Sequence, residues 1–479
     1  MGQEEGTGVM RQPEGSFQSF SMESRWLFEQ AKRLDASFYA RDVTASGILI
    51  GDIRRQGIGI DCVQDLAEDV FWPGRFKRRY VSKYVGEPFL MPSEAIMLLP
   101  KAKKFVSNYP RDVMVKKDWL LITRSGTVGR CLLATELLEN HVLSDDLIRI
   151  IPKNVFNVGY LYAYLNTRIG QAFLTKDQYG STVKHIEPHH VAGIPVPRIP
   201  DLEHRIGQMV LEAHRLREAA QQLLLEANEL LYSELGLPEI DEDDVDYFGR
   251  QGGRIVKSFG VRASQLNLRL DASYHLPILK LIDLHLNGIA TKVQPLGTKL
   301  KSIYIPPRFK RPYVENQKLG IRYLRPSDLS LAKYFESRYL ARKFKNCDLY
   351  RLREGNILVV TDGTIGWVSI VTSVTAQWYG SNNFARLVPA DDLDRGYLLT
   401  YLFSPYGQYQ LRREIFGGVI DHLTEEQICD VKIPVPAMSV QRKIGKLMIR
   451  AYSHRDEASQ LEDKAVNLLE KELMELAHK

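Results

Sequence analysis

Two short stretches of the chain contain residue types that could bind phosphate or a metal ion. In TRSGTVGR, residues 123–130, Gly126 and Gly129 follow an apolar run, as in loops whose backbone N–H groups surround a phosphate. Phosphate loops, however, carry GxxxxGK[ST], or GxGxxG at the start of a helix. Gly129 is followed instead by the strand-like stretch 130–133. The sequence therefore favours a strand–turn–strand here.

The second stretch, HIEPHH at 185–190, places three histidines close enough to share an ion on a helix. A similar stretch further along the chain, HLTEEQ at 422–427, keeps only the first histidine. A metal site would therefore belong to one stretch alone, and we predict no metal ligands. His185 and His422 are better explained as residues that cap or orient the loops after Gly180 and Gly417.

Cationic side chains beside aromatic ones form a third group of candidates. Such pairs suit phosphate contacts and stacking near bases. The alternative is a solvated charged surface, as most short charge runs are. The predicted DNA-binding residues are Arg75, Lys77, Arg78, Arg79, Lys101, Lys103, Lys104, Arg124, Lys184, Arg308, Lys310 and Arg311.

Motifs of the common enzyme classes are missing from the sequence. It has no FxGxG with a downstream [DNS]PPY, and no HExxH, GxSxG or Walker motif. The four cysteines are isolated, which argues against a structural zinc site or a disulfide framework. We predict no catalytic residues in this chain and no cofactor bound to it.

The sequence segments that are expected to position these residues occur twice, as an internal repeat. SGTVG (125–129) returns as DGTIG (362–366), 237 residues later. Further pairs keep the same order at nearly the same spacing: SDDLIRIIP (144–152) with SNNFARLVP (381–389), GYLYAYL (159–165) with GYLLTYL (396–402), IPVP (194–197) with IPVP (433–436), RLDAS (33–37) with RLDAS (269–273), and GRFKRRYV (74–81) with PRFKRPYV (307–314). A nucleotide site is normally single, whereas a scaffold turn recurs with its scaffold, so the phosphate-loop hypothesis is set aside.

Each copy ends in a helix whose apolar residues follow the 4-3 spacing of a coiled coil. The predicted seams are Leu202, Ile206, Met209, Ala213, Leu216, Ala220, Leu223, Ala227 and Leu230 in the first copy, and Val440, Ile444, Leu447, Ala451, His454, Ala458, Leu461, Ala465 and Leu468 in the second. Small residues in both seams favour pairing of the two helices. A helix of about 33 residues is roughly 50 Å long. An antiparallel pair of this length would place two globular domains at opposite ends of a rod.

Length and composition agree with several soluble domains. The chain has 479 residues, 25% charged and 44% apolar, with a mild net charge of +6 and no membrane-length apolar run. We expect a cytoplasmic protein of mixed α/β (α+β) class. The predicted segments are a flexible tail (1–23), a first globular domain (24–199), a first coiled-coil helix (200–236), an acidic and Gly-rich linker (237–256), a second globular domain (257–436) and a second coiled-coil helix (437–479).

This layout resembles the DNA-specificity (S) subunit of type I restriction-modification systems. The resemblance covers nearly all of residues 24–479. It is carried by the segments 180–207 and 417–445, which contain the Gly-x-x-x-[Lys/Asp]-His-[Ile/Leu] stretch and the IPVP step before each long helix. The resemblance implies two target recognition domains that each read one half of a split sequence in double-stranded DNA. It also implies helices that dock two methyltransferase subunits.

In that family the complex methylates adenine with S-adenosylmethionine held by the methyltransferase, and a restriction subunit adds translocation and cleavage. On this basis we expect base discrimination in 82–118 and 315–350, where the copies differ most, and phosphate contacts from shared positions such as Arg75 and Arg308. Two competing hypotheses remain: a protein-binding scaffold without DNA contact, and an enzyme with a novel site.

Overall fold

The computed structural model describes residues 41–178, 184–240, 245, 258–266, 269–315, 317–335, 338–413, 415 and 422–478. The predicted N-terminal tail and most of the predicted linker lie outside these residues. The chain forms two compact units. Unit 1 contains the described residues up to Pro92 together with 102–211 and 461–478, and unit 2 contains 93–101 and those within 212–460.

Unit 1 is built from short strands and helices around two four-stranded sheets. Its elements are α1 (Arg41–Arg55), β1 (Ile60–Cys62), α2 (Val63–Leu66), β2 (Ala67–Phe71), β3 (Arg79–Val81), β4 (Glu87–Leu90), α3 (Pro92–Ala95), β5 (Lys104–Ser107), β6 (Leu120–Thr123), β7 (Cys131–Leu133), α4 (Glu136–Glu139), β8 (Val142–Leu143), β9 (Leu147–Pro152), α5 (Val155–Asn166), α6 (Arg168–Lys176), α7 (Pro188–Ala192), β10 (Pro195–Pro197) and the start of α8 (Pro200–Leu235). Most of α3 belongs to unit 2.

The two sheets of unit 1 differ in burial and in strand direction. The core sheet has the antiparallel order β2-β9-β6-β7, and β6 and β7 are buried at every position. The mixed sheet has the order β3-β5-β4-β8, in which only β4 and β8 are parallel. A strand buried on both faces is typically a continuous apolar run, as residues 120–122 are in β6. By contrast, β3 is exposed or half-buried, so the mixed sheet presents side chains to solvent.

Unit 2 repeats this plan with the second copy of the duplicated sequence. Its elements are α9 (Pro277–Gly288), β11 (Val293–Pro295), β12 (Leu300–Tyr304), β13 (Tyr313–Val314), β14 (Gly320–Leu324), β15 (Tyr339–Ala341), β16 (Ile357–Val360), β17 (Val368–Ile370), β18 (Tyr379–Gly380), β19 (Phe384–Pro389), α10 (Arg395–Phe403), α11 (Pro405–Arg413), α12 (Glu425–Cys429), β20 (Lys432–Pro434) and the first part of α13 (Met438–Ala477), whose end belongs to unit 1. Its core sheet is β12-β19-β16-β17 and its mixed sheet β13-β15-β14-β18. The mixed α/β class and the tandem duplication are confirmed.

The two long helices pair in opposite directions. In unit 2 the end of α8 shares a hydrophobic cluster with the start of α13, and Lys443 Nζ lies 2.6 Å from Glu234 Oε1. In unit 1 the start of α8 shares a cluster with the end of α13 through residues such as Ile206 and Leu469. The predicted antiparallel pairing is therefore present.

In each long helix, about half of the predicted seam positions lie one residue before the position that is actually buried. The alanines at 213, 220, 227, 451, 458 and 465 are buried as predicted. The intervening predicted leucines and methionine of α8 are only partly buried, and the buried positions are Val210, Arg217, Leu224 and Leu231. In α13 they are Met448, Arg455, Glu462 and Leu469. Apolar residues occur in adjacent pairs, such as Leu223 and Leu224, so apolarity could not choose between them. Because the predicted seams were chosen from apolar residues, they also missed the buried Arg217 and Arg455.

A glycine–glycine crossing joins a domain helix to a long helix in each unit. A Cβ atom at Gly159 of α5 would lie 2.7 Å from the carbonyl oxygen of Gly207 in α8. A Cβ atom at Gly396 of α10 would lie 2.3 Å from the carbonyl oxygen of Gly445 in α13. Both distances are shorter than real contacts allow, so only glycine permits this approach.

We therefore expect Gly396→Ala to lower the free energy of unfolding by about 1–3 kcal/mol, because the methyl group meets backbone that cannot move aside. Calorimetric melting of the full chain measures this. The matched control is Gly47→Ala in α1, where nothing lies within 4 Å of the new Cβ. There alanine should stabilise the helix by up to about 1 kcal/mol. Equal melting temperatures for the two variants would contradict the crossing.

A buried arginine connects the two sheets in each unit. Arg149 of β9 donates from Nη2 to the Val113 carbonyl at 3.0 Å and from Nη1 to the Ser144 carbonyl at 3.4 Å, just after β8. Arg386 of β19 donates to the Gly380 carbonyl of β18 at 3.4 Å. Desolvation by burial lowers the pKa of both guanidinium groups to about 10. Both remain charged near neutral pH, and each ties its mixed sheet to its core sheet.

Candidate nucleic-acid interface

Most of the predicted basic residues of unit 1 lie exposed on or beside its mixed sheet. Arg79 lies in β3 and Lys104 begins the neighbouring strand β5. Arg75 and Lys77 precede β3, and Lys103 precedes β5; all five side chains are exposed. The pairing of β3 with β5 therefore brings together cations that are about 25 residues apart in the sequence.

Arg78 and Arg311 point into their own units instead. Arg78 Nη2 lies 2.5 Å from Asp145 Oδ1. Arg311, at the equivalent position, donates to Asn382 Oδ1 at 3.1 Å and to the Tyr323 hydroxyl at 2.7 Å. Asp145 and Asn382 are themselves equivalent in the repeat. The two guanidinium groups therefore fix the strand entering each mixed sheet, and their position favours a structural role over a phosphate contact.

Arg124 is also engaged inside unit 1. It is 5% exposed, donates to Glu187 Oε1 at 2.6 Å and stacks over the Trp72 ring at 4.1 Å. Its equivalent in the second copy is Thr361. A buried, paired arginine present in one copy is poorly placed to contact DNA. Lys184 is exposed, and its carbonyl accepts from the Gly126 N–H at 3.3 Å.

Two predicted lysines and one arginine belong to unit 2. Arg308 and Lys310 are exposed just before β13. Lys101 also belongs to unit 2, whereas Lys103 and Lys104 belong to unit 1. Its side chain is exposed by surface area, yet enough protein surrounds the amine that desolvation lowers its pKa, with Arg412 adding to the decrease. The basic run 101–104 is thus divided between the two units.

An exposed tyrosine with a cation over its ring occupies the same place in both mixed sheets. In unit 1, Tyr80 of β3 is 49% exposed and Lys104 Nζ lies 5.0 Å from its ring centroid. In unit 2, Tyr313 of β13 is 46% exposed and the Arg338 guanidinium lies 5.8 Å from its ring. We call each arrangement a tyrosine–cation pair. An aromatic ring beside a cation can stack on a sugar or base while the cation contacts a phosphate.

Strand register shows that the two tyrosine–cation pairs are equivalent. Tyr80 pairs with Val106 of β5, and Tyr313 pairs with Leu340 of β15. Each of these partners lies two residues after its cation. Each tyrosine also packs edge-on against a second aromatic ring, Phe89 at 6.3 Å and Tyr323 at 6.2 Å between centroids. The sequence comparison missed Arg338 because the cations differ in type and the spacing of the repeat changes by one residue between Val81 and Gly86.

The glycine stretches 123–130 and 360–367 form turns, as predicted. Strands β6 and β7 flank the first turn and β16 and β17 the second. Gly126 and Gly363 have φ angles of 75° and 80°, which glycine adopts without strain. The shared histidine holds each turn: Ser125 Oγ lies 2.9 Å from His185 Nδ1, and Asp362 Oδ1 lies 2.5 Å from His422 Nδ1. The loops after Gly180 and Gly417, which these histidines were expected to orient, lie outside the described residues.

The other histidines of HIEPHH have local structural contacts. His190 Nδ1 accepts from the Glu187 N–H at 3.1 Å at the start of α7. Among the residues that the structure describes, no three His, Cys, Asp or Glu side chains come together as a metal site. Beside the second turn lies a cavity of about 460 Å³ lined by residues that include Arg308, Asp362, His422 and Glu425.

The model of a protein family described as type I restriction modification DNA specificity domain matches residues 307–463. Residues 307–463 are therefore similar to a type I restriction-modification DNA specificity domain. The matched segment includes the second tyrosine–cation pair, the second glycine turn and the first part of α13. No curated protein matches the chain.

Two solved specificity subunits align with 88% of the chain. The type I restriction-modification S subunit from M. genitalium has 12% identity, covers 88% of this chain and 96% of its own, and gives a TM-score of 0.37. The HsdS subunit from Thermoanaerobacter tengcongensis has 14% identity, the same two coverages and a TM-score of 0.27. These TM-scores are low, and the strand order and register above define the architecture without them.

Positive charge is concentrated in the two segments that contain strands of the mixed sheets. Residues 75–104 contain eight Lys and Arg against two acidic residues, and residues 308–345 contain eleven against three. The whole chain has an excess of only six. A local excess of cations is the electrostatic footprint expected of a nucleic-acid surface. None of the described helices is both long and apolar enough to span a membrane.

Proposed function

We propose that the chain is the DNA-specificity subunit of a type I restriction-modification or related phage-defence complex in the cytoplasm, and that each copy reads one half of a bipartite duplex target. The observation that carries this proposal is the tyrosine–cation pair, which recurs at the same strand register in both units. A scaffold without nucleic-acid contact has no need to keep an exposed aromatic ring under a cation twice.

In this proposal the chain recognises DNA and performs no chemistry. Two methyltransferase subunits that hold S-adenosylmethionine would dock on it, with the long helices as a coiled-coil spacer and docking surface. Restriction subunits would join the same complex. The role of this chain's own residues is to place each mixed sheet against a half-site, with exposed cations neutralising phosphates.

The test is to express the chain with its neighbouring methyltransferase and to sequence methylated bases in the host, against the methyltransferase alone. We expect a new bipartite adenine mark. Replacing residues 24–199 with those of a related subunit should change one half of the mark only. Absence of both a new mark and a DNA mobility shift would overturn the proposal and favour a protein-binding scaffold.

The shared arginines Arg75 and Arg308 supply a further prediction for this surface. Each exposed guanidinium should neutralise one phosphate, so Arg75→Ala and Arg308→Ala should each reduce the salt slope of DNA binding by about 1, equally for all sequences. Titrations of duplex DNA at several salt concentrations measure the slope. Arg55→Ala at the end of α1 removes an exposed arginine elsewhere and should leave it unchanged. An unaltered slope in both test variants would remove these residues from the interface.

A further inference from the structure

Each mixed sheet contains a short connector between a valine and a glycine that both copies share. In unit 1 the connector runs between Val81 of β3 and Gly86, and in unit 2 between Val314 of β13 and Gly320. Both glycines are needed for close approach. A Cβ at Gly86 would lie 2.3 Å from Val81 Cγ2, and one at Gly320 would lie 2.5 Å from Val314 Cγ2. The backbone that frames the connector is therefore the same in both copies.

Inside this frame the two connectors differ in length and in every residue. Residues 82–85 read Ser-Lys-Tyr-Val, whereas residues 315–319 read Glu-Asn-Gln-Lys-Leu, with one residue more. The described residues of both connectors, 82–85, 315 and 317–319, are exposed: Tyr84 is 68%, Val85 73% and Leu319 56% accessible to solvent. Lys83 Nζ lies 5.1 Å from the Tyr84 ring. Large apolar side chains exposed within a basic surface mark a contact site rather than a packed core.

The connectors lie directly beside the tyrosine–cation pairs. Tyr80 and Tyr313 each lie two residues before the connector of their own unit, on the strand that leads into it. Contacts to phosphate and sugar carry no sequence information, so two domains that read different half-sites can share them. Contacts to base edges must differ between the domains. The shared tyrosine–cation pair and the differing connector fit this division.

We propose that connectors 82–85 and 315–319 are the base-reading elements of the two units and that the tyrosine–cation pairs are sequence-neutral anchors. This inference rests on the proposed function. The second connector offers Gln317, whose amide can pair with the N6 and N7 atoms of adenine, and Glu315, which can accept from the N4 amine of cytosine. The first offers Lys83 as a donor to the O6 and N7 atoms of guanine, and Tyr84 as an apolar contact for a thymine methyl group. The half-sites should differ accordingly.

The test is a graft in the full-length chain that replaces residues 82–85 with the sequence Glu-Asn-Gln-Lys-Leu of the second connector. Selection of bound duplexes from a library with two randomised half-sites gives the preference of each half. We expect the preference of the first half to change toward that of the second, while the second half stays the same. Tyr80→Ala combined with Lys104→Ala should instead weaken binding to every sequence and leave both preferences intact.

A point variant protects the test against misfolding of the graft. Gln317→Ala keeps the connector length and Gly320, and should reduce discrimination at one position of the second half-site by roughly tenfold or more. If the graft and Gln317→Ala both leave a clear bipartite preference unchanged, the connectors do not read bases and the inference is wrong, while the proposed function stands. If the unaltered chain selects no sequence, the proposed function itself is overturned.

Discussion

Asp456→Ala is expected to destabilise unit 2 by about 3–5 kcal/mol, because it leaves the charge of Arg455 buried without its carboxylate. The side chains of Arg455 and Asp456 in α13 are 1% and 2% exposed, with Arg455 Nη2 2.8 Å from Asp456 Oδ1. Burial alone would lower the pKa of Arg455, but the adjacent Asp456 carboxylate and Tyr334 hold it above its ordinary value. The arginine is therefore charged beside Asp456, and removal of this carboxylate leaves the desolvation of the guanidinium uncompensated.

Calorimetric melting of the full chain measures this effect. Glu457→Ala is the matched control, because it removes the next acidic residue of the same helix, whose side chain is 56% exposed. It should change the free energy of unfolding by less than about 1 kcal/mol. A double variant with Arg455→Met and Asp456→Ala should recover much of the lost stability, since it removes the uncompensated charge as well. Identical melting of Asp456→Ala and Glu457→Ala would contradict a structural ion pair.

This ion pair also links the long helix to the mixed sheet of unit 2. Asp456 Oδ2 accepts from the Thr372 hydroxyl, and Arg455 Nη2 donates to the Tyr334 hydroxyl at 2.7 Å. The Tyr334 ring also lies 5.4 Å from the guanidinium of Arg322 in β14. A continuous set of contacts thus runs from α13 to the strand that follows the second connector. Asp456→Ala should therefore disturb DNA reading by unit 2 as well as its stability.

Repetition within the sequence predicted most of this architecture. The glycine stretch was interpreted as a strand–turn–strand because it recurs with its neighbours, and β6–β7 and β16–β17 confirm this. The small residues at alternate seam positions predicted which helices pair. About half of the predicted seam positions were wrong by one residue. Where two apolar residues are adjacent, as Leu230 and Leu231 are, the sequence does not show which of them faces the partner helix. Buried Arg217 and Arg455 could not be found by any rule that selects apolar residues.

The candidate site was less predictable than the fold. A local run of charges identified Arg75, Lys77 and Arg79, but the same run includes Arg78, whose partner Asp145 is 67 residues away. Charge pattern alone cannot separate a guanidinium that faces solvent from one that closes an ion pair, because the partner is brought near only by folding. Likewise, Tyr313 and Arg338 meet because β13 pairs with β15, and no local pattern records that pairing.

The two tyrosine–cation pairs should act as independent anchors for DNA. Replacing Tyr80 and Lys104 together with alanine removes one stacking surface and one cation, and we expect a loss of roughly 10- to 100-fold in duplex affinity at moderate salt. Tyr313→Ala with Arg338→Ala should give a similar loss. Because the pairs lie in separate units, the free energies should add, so the quadruple variant should lose roughly 10²- to 10⁴-fold.

Conservative variants distinguish an anchor from a merely structural role. Lys104→Arg keeps the charge, as the natural Arg338 of the second copy does, and should retain most of the affinity. Tyr80→Phe keeps the ring and should also bind. Melting temperatures should hardly change in any of these variants, because both tyrosines are about half exposed. If the quadruple variant bound duplex DNA as tightly as the unaltered chain, with the same salt slope, then the mixed sheets would not face DNA. The positive charge concentrated around them would then serve a different, acidic partner.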